Sequence, residues 1–181
     1  MAIWQLRAAP ADKFAPLAPT EAQAMAGTFE ARGKPLQWKK KPKVDVFQEP
    51  KKKAGLPRAD VSLLMSGALV LDQKAHDALG TFLVQFGQLL ELDVAGSIEY
   101  FYNVTNLVDC IDPDRSEKRS TGVIIKEAFL SGAEPTTPAV FKDPLTAGTR
   151  LYVNSEGKNL LEGLVAGAGI TGLEFAEPGA R

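Results

Sequence analysis

In DQKAHDALGTFLVQF the apolar residues Ala75, Ala78, Leu79, Phe82, Leu83 and Phe86 fall three or four positions apart, the spacing that gathers them on one face of an α-helix. Asp72 stands where an N-cap carboxylate can accept the free N–H groups of the first turn, and Gly87 is the expected stop. NSEGKNLLEGLVAGAG repeats the plan. Its cap is Asn154 or Ser155, and its apolar face is Leu160, Leu161, Leu164 and Val165. The remaining apolar runs are short and β-rich. QLLELDV and IEYFYNV flank Ala95-Gly96-Ser97, which predicts a hairpin. AIWQLRA, one of PLQWKK or KVDVF, VSLLMS, ALVL, NLVDCID, TGVIIKEAFL, PAVFKD, RLYV and LEF supply further strand candidates, with GAEPTTP and PDRSEKRS as loops.

Two amphipathic helices among many short strands predict an α+β fold, with a mixed or mainly antiparallel sheet. Seven of the twelve prolines precede Ala59, so the first third is irregular and turn-rich. The expected organisation is one domain, with residues 1–60 as an N-terminal strand and a Pro/Lys-rich extension of an α+β body at residues 61–181. At 181 residues the chain can bury a core of its own.

Charge alters this picture more than composition does. The net charge of −1 hides an asymmetry: Lys34 to Arg58 holds nine basic residues against two acids, and Ala59 to Arg181 nine against seventeen. The basic stretch carries the triplets Lys39-Lys40-Lys41 and Lys51-Lys52-Lys53. Pro35, Pro42, Pro50 and Pro57 interrupt it, which excludes a continuous basic helix. It reads as a solvated margin rather than a nucleic-acid grip, because the body beyond it is acidic and repels phosphate. Cys110 is alone, so no internal disulfide forms. No secretory or membrane-spanning run is present, and a cytoplasmic location is expected.

The inventory for catalysis is thin, and neither an enzyme nor a cofactor is expected. Gly167-Ala168-Gly169-Ile170-Thr171-Gly172 matches a dinucleotide fingerprint only in spelling. It ends a helix and enters a strand, the reverse of the required context, and reads as a helix C-cap and turn. Asp109, Asp112, Asp114 and Glu117 form the densest acid cluster. A calcium loop starting at Asp112 would place Glu117 where glycine is needed and Val123 where the bidentate acid belongs. The cluster reads as a solvated turn set by Pro113 and compatible with a protein partner. His76 is the single histidine, and Cys110 sits in an apolar run as a buried structural thiol.

Three stretches in order resemble the bacterial polymorphic-toxin immunity proteins grouped as immunity family eleven. They are LMSGALVLDQKAHDALGTFL; IEYFYNVTNLVDCIDPDRSE with Tyr102, Asn103, Asp109, Asp112 and Ser116; and RLYVNSEGKNLLEGLVAGAGITGLEFAEP with its Thr171-Gly172-Leu173-x-Phe175 ending. Asp72 stands where a serine cap is common in that family, and residues 1 to 60 lie outside the likeness. The resemblance implies a non-catalytic antitoxin that binds and neutralises a cognate secreted toxin, protecting producer and kin. An acidic body suits a basic toxin, a nuclease-type effector in preference to others. The toxin-binding expectation rests on Asp109, Asp112, Asp114, Arg115 and Glu117. The alternative is a nucleic-acid-binding or regulatory module using the lysine-rich arm.

Overall fold

The computed structural model describes residues 2–48 and 55–179. Lys51 to Lys53, the second lysine triplet, lie outside the described residues. In chain order the elements are β1 (Ile3–Ala8), β2 (Leu17–Pro19), α1 (Glu21–Met25), β3 (Lys43–Val46), β4 (Val61–Ser62), β5 (Leu69–Leu71), α2 (Gln73–Leu83), β6 (Gly87–Val94), β7 (Ser97–Val104), β8 (Glu117–Lys118), β9 (Ile124–Lys126), β10 (Val140–Phe141), β11 (Tyr152–Asn154), α3 (Ser155–Ala168) and β12 (Leu173–Ala176). The fold is α+β, as the alternation of short β runs and two amphipathic helices predicts. The strands divide between two larger sheets and a small β8–β9 pair.

One sheet runs β10-β11-β1-β12 and is antiparallel throughout. Its strand β1 comes from the chain's start and lies between two strands from the far end. The N-terminal strand is therefore integral to the body. The other sheet runs β2-β3-β6-β7-β5-β4 and is antiparallel except where β3 meets β6. Its centre is the β6–β7 hairpin, closed by Ala95 (φ 49°) and Gly96 (φ 94°), both in the left-handed region that a two-residue turn of right-handed twist needs.

Helix α2 packs on β5 and β7, α3 packs on β1 and β11, and the two helices touch. Leu69, Leu71, Tyr102 and Val104 from one sheet meet Leu6, Leu151 and Val153 from the other around Ala75, Leu79, Phe82, Leu83 and Leu161. The predicted face of α2 is thus the buried one. Asp72 caps it, its Oδ1 accepting the Ala75 N–H at 2.8 Å. Asn154 caps α3 through the Gly157 N–H at 3.0 Å, and Gly169 ends it at φ 61°. The glycine-rich run is a C-cap, as its position after a helix predicts.

Several expectations are corrected. Gly87 does not stop α2, which ends at Leu83; it opens β6. A Cβ there would collide with the Asn103 carbonyl and the Val104 Cα, so glycine serves the close approach of the hairpin strands. NLVDCID forms no strand, only isolated bridges from Leu107 to Lys142 and Ile111 to Phe129. The N–H groups of Cys110 and Ile111 are taken by the Asp143 side chain instead. Leu160 is 38% exposed, because α3 turns Leu161 toward the core. Of PLQWKK and KVDVF, the latter is the strand. The pattern also hides β2 and α1, although Thr20 and Gln23 form a reciprocal capping box.

The lysine-rich segment is anchored beneath its charges. Phe29, Leu36, Trp38, Val44 and Val46 pack against Leu92, Val94 and Phe101 on the sheet face turned away from the helices. Asn103 Nδ2 donates to the Lys34 carbonyl at 2.8 Å. Gln88 Oε1 accepts the Leu36 N–H, also at 2.8 Å. These contacts fasten the segment while leaving Lys39, Lys40, Lys41 and Lys43 in solvent.

Candidate functional site

The loops between β7 and β11 cover the outer face of the β10-β11-β1-β12 sheet, where Cys110 and Ile111 pack with Ile3, Phe141 and Tyr152. Irregular backbone at such depth needs partners for its polar groups. Asp143, fully buried, provides them. Its Oδ2 accepts the N–H groups of Cys110 (2.8 Å) and Ile111 (2.7 Å), and its Oδ1 accepts that of Leu145 (2.8 Å). Lys142, also fully buried, donates to the carbonyls of Ala31, Gly67 (2.6 Å) and Ala147 (2.7 Å). Burial lowers its pKa to about 8, so at neutral pH it is an ammonium whose three N–H groups match three carbonyls. Glu127 adds a third tie. It pairs with Arg150 and accepts the Tyr152 hydroxyl at 2.5 Å, which itself lies 2.9 Å from Thr146 Oγ1.

On this scaffold Asp112 is half-buried and holds its own turn: its Oδ1 accepts the N–H groups of Asp114 (3.0 Å) and Arg115 (3.1 Å). Ser116 closes the turn, its hydroxyl donating to the Asp112 carbonyl at 2.6 Å and accepting the Ala128 N–H at 3.0 Å. Asp114, Arg115 and Glu117 are exposed around that turn, and Glu117 lies 3.7 Å from Lys126. Asp109 is exposed, and no hydrogen bond or ion pair joins it to the others among the described residues. Three of the four acids and the arginine are therefore brought together, and Asp109 stands apart. The charge is mixed, since Arg115, Lys118, Arg119 and Lys126 interleave the acids.

Beside this turn lies a groove of about 650 Å³, with Pro113, Val123, Ile124 and Leu145 on its walls and Arg32 and Lys118 among its lining residues. Val123 and Leu145 are 57% and 53% exposed and share this groove. A second groove of about 680 Å³ runs along Trp38, Lys39, Lys40, Lys41 and Lys43. Lys41 pairs with Glu91 at 2.8 Å and Lys43 lies 3.8 Å from Asp93. The Trp38 indole N–H is committed to the Thr28 carbonyl at 2.9 Å.

The remaining chemistry-bearing residues are placed structurally. Cys110 is fully buried, and burial together with the nearby Asp143 carboxylate pushes its thiol up to about 12. Its thiolate is scarce at neutral pH. His76 stacks on Tyr100 with ring centres 3.8 Å apart. No group of three or more His, Cys, Asp or Glu among the described residues could hold a metal ion. No helix among them is long and apolar enough to cross a membrane.

The motif residues of the C-terminal segment also prove architectural. The Thr171 N–H and hydroxyl donate to Asp60 Oδ2 at 2.7 and 2.8 Å, and Lys74 reaches the same oxygen at 3.2 Å. Burial pulls the Asp60 pKa upward, but these donors outweigh it and hold it below the usual value. Tyr102 donates to the last carbonyl of α2, that of Leu83, at 2.9 Å. Sequence reasoning missed Glu127, Lys142, Asp143 and Arg150. The only signal was charge at the end of an apolar run, in VIIKEAF and AVFKD. No family model matches the chain, and no curated protein matches it significantly.

Proposed function

We propose that this protein is an immunity protein: it binds a cognate secreted bacterial toxin in the cytoplasm of the producing cell and holds it inactive. The observation that carries the reading is the groove beside the Asp112 turn. Val123 and Leu145 stand exposed there, with Arg32 and Lys118 among the lining residues, on loops fixed from below by Lys142, Asp143 and Glu127. Exposed aliphatic groups with a charged rim are what a protein-binding patch offers. Loops fixed beforehand lose little entropy on binding, which favours tight inhibition. Asp112, Asp114, Arg115 and Glu117 lie on the adjoining turn, beside the lining residues Pro113 and Lys118 in sequence, and act mainly on encounter rate and partner choice. The three-segment resemblance to immunity family eleven supports the same reading, and a nuclease-type toxin is the preferred target.

Charge insertion at the groove tests this. Val123→Asp and Leu145→Asp sit at exposed positions and should leave the fold intact. Each should weaken toxin binding by about thirtyfold or more, the scale of an interface hot spot. Undiminished binding by the double variant, with an unchanged melting curve, would place the interface elsewhere.

One observation favours a second reading, a nucleic-acid-binding or regulatory module. The lysine-lined groove at Trp38 is as large as the apolar one, and Lys39 and Lys40 take no carboxylate partner among the described residues. Against it, the Trp38 ring packs on Phe29 and Phe101 at 5.6 Å and donates its N–H internally, so it is not poised to stack on bases. Affinity for DNA or RNA that falls steeply with salt would favour this alternative.

A further inference from the structure

The groove beside the Asp112 turn has charge of one sign. Arg32 and Lys118 line it, and no acid does. Lys118 stands opposite Ile124 in the β8–β9 pair, is exposed, and takes no carboxylate partner among the described residues. Its neighbour Glu117 lies 3.7 Å from Lys126, and neither of those two lines the groove. Arg32 keeps 67% of its side chain exposed, although its Nε lies 3.3 Å from Glu30. Beyond Ala59 the acids outnumber the bases, yet this lining holds only cations.

Buried side chains hold the walls in place. Lys142 donates to the Ala31 carbonyl, next to Arg32, and to the Ala147 carbonyl at 2.7 Å. One ammonium thus ties the segment bearing Arg32 to the wall that includes Leu145. Arg150 Nη2 donates to the Ile125 carbonyl at 3.0 Å and fixes the β9 wall. A Cβ on Gly148 would lie 3.8 Å from the Arg32 Cγ, so the arginine stem runs along the Leu145 wall.

This combination selects an occupant. Val123, Ile124 and Leu145 call for an apolar contact, and the cations beside them for a carboxylate. A nucleic acid fits poorly, because no aromatic side chain lines the groove to stack on bases.

We propose that the groove receives a toxin segment in which an aliphatic side chain is flanked by an aspartate or glutamate. The aliphatic group packs on Val123 and Leu145, and the carboxylate meets Lys118, with Arg32 as its second cation. The inference rests on the toxin-binding reading and adds the sign of the contact. That sign is opposite to the one that governs approach. The acids of the Asp112 turn draw in a basic toxin from a distance, whereas the groove clasps an acid at contact.

The test uses the full-length protein and an inactivated toxin encoded beside its gene, with rates followed by surface plasmon resonance. Lys118→Glu should raise the dissociation rate about tenfold or more, and Lys118→Arg should stay within about threefold of wild type. Charge placed at Val123 should matter by its sign: Val123→Lys should bind at least about tenfold more tightly than Val123→Asp. A carbodiimide, which joins an amine to a carboxylate in contact with it, should link Lys118 to a toxin acid that mass spectrometry then maps. Lys118→Arg should lose that link and keep the binding. Both positions are exposed, so melting curves should match wild type.

Equal affinities for Val123→Asp and Val123→Lys, or unchanged dissociation of Lys118→Glu, would overturn the inference. If Leu145→Asp still weakened the complex, the toxin reading would survive that result. Full binding by both Val123→Asp and Leu145→Asp would remove the groove from the interface, and this inference with it. Failure of every neighbouring toxin to bind wild type would sink the toxin reading itself and the inference that rests on it. Self-association in the toxin's absence, broken by Lys118→Glu, would assign the groove to a second copy and overturn the inference equally.

Discussion

Lys142 is the sharpest point at which to perturb the scaffold. Its ammonium lies in a place with no carboxylate partner among the described residues, held by the carbonyls of Ala31, Gly67 and Ala147. Each carbonyl belongs to a different segment, so one side chain ties three loops together. Lys142→Met keeps the length of the stem and removes only the donors. Every buried acceptor left without a donor costs about 1–3 kcal/mol. Part of that is offset, because the variant no longer has to dehydrate an ammonium, itself a cost of several kcal/mol. A net loss of about 3 kcal/mol results, at the low end of the cost of removing one partner from a buried charged contact. This is a sizeable part of a stability on the order of 5–15 kcal/mol. Urea titration should show a lower midpoint at constant slope. Lys126→Met, at a site 62% exposed, is the control and should change stability by less than about 0.5 kcal/mol. A Lys142→Met midpoint equal to that of the control, or above wild type, would refute the reasoning.

The same residue gives a pH signature. Its folded pKa of about 8 lies below the unfolded value near ~10.4. In that window the folded chain has released a proton that the unfolded chain still holds. Unfolding therefore takes up a proton, and this residue's contribution to stability rises with pH. Cys110 and Tyr152, whose pKa values are raised, act in the opposite sense. The difference between wild type and Lys142→Met isolates the lysine, and it should move in favour of wild type from pH 8 to about 10.

Other contacts carry their own expectations. Gly172→Ala should cost more than about 3 kcal/mol, because φ is 85° and a Cβ would strike the Val61 carbonyl; a melting point within a degree of wild type would show that this junction can open. Asp72→Ala should cost about 1 kcal/mol as a lost N-cap, and Phe82→Ala about 3–5 kcal/mol as a core cavity, so equal denaturant midpoints for the two would contradict the assigned core. Cys110 should resist an aromatic disulfide reagent at pH 8 in the native state and react fully in urea; fast native labelling would contradict its burial. Changing Lys39, Lys40, Lys41, Lys51, Lys52 and Lys53 to Gln should leave protection against toxin intact, whereas reversing Asp112, Asp114 and Glu117 should slow toxin association; the opposite pattern in a survival and binding-rate assay would move the interface to the lysine arm.

Local periodicity made part of the fold legible in the sequence. The α2 face, its Asp72 cap, the Ala95-Gly96 hairpin and the Gly169 C-cap are all set by residues within one or two turns of one another, and each appears where the pattern puts it. Gly87 misled because a glycine after an apolar helical run has two physical uses, and here the hairpin backbone 16 residues away decides between them. NLVDCID looked like a strand because it is apolar. Two of its N–H groups, those of Cys110 and Ile111, are taken by Asp143, more than 30 residues distant, so no local rule could assign it. The candidate site was legible in part. Asp112, Asp114, Arg115 and Glu117 share a turn, as Pro113 and the polar run suggest. The residues fixing that surface, Glu127, Lys142 and Asp143, are charges inside apolar segments, and only the fold reveals their partners.

The central claim is inhibition by stoichiometric binding of a toxin. Its most direct test is to produce secreted toxins encoded beside this gene in cells with and without the protein, then purify the protein from the survivors. The account predicts survival only when the protein is present, and a one-to-one complex that Val123→Asp with Leu145→Asp abolishes along with survival. Survival with no complex, or no protection against any neighbouring toxin, would contradict it.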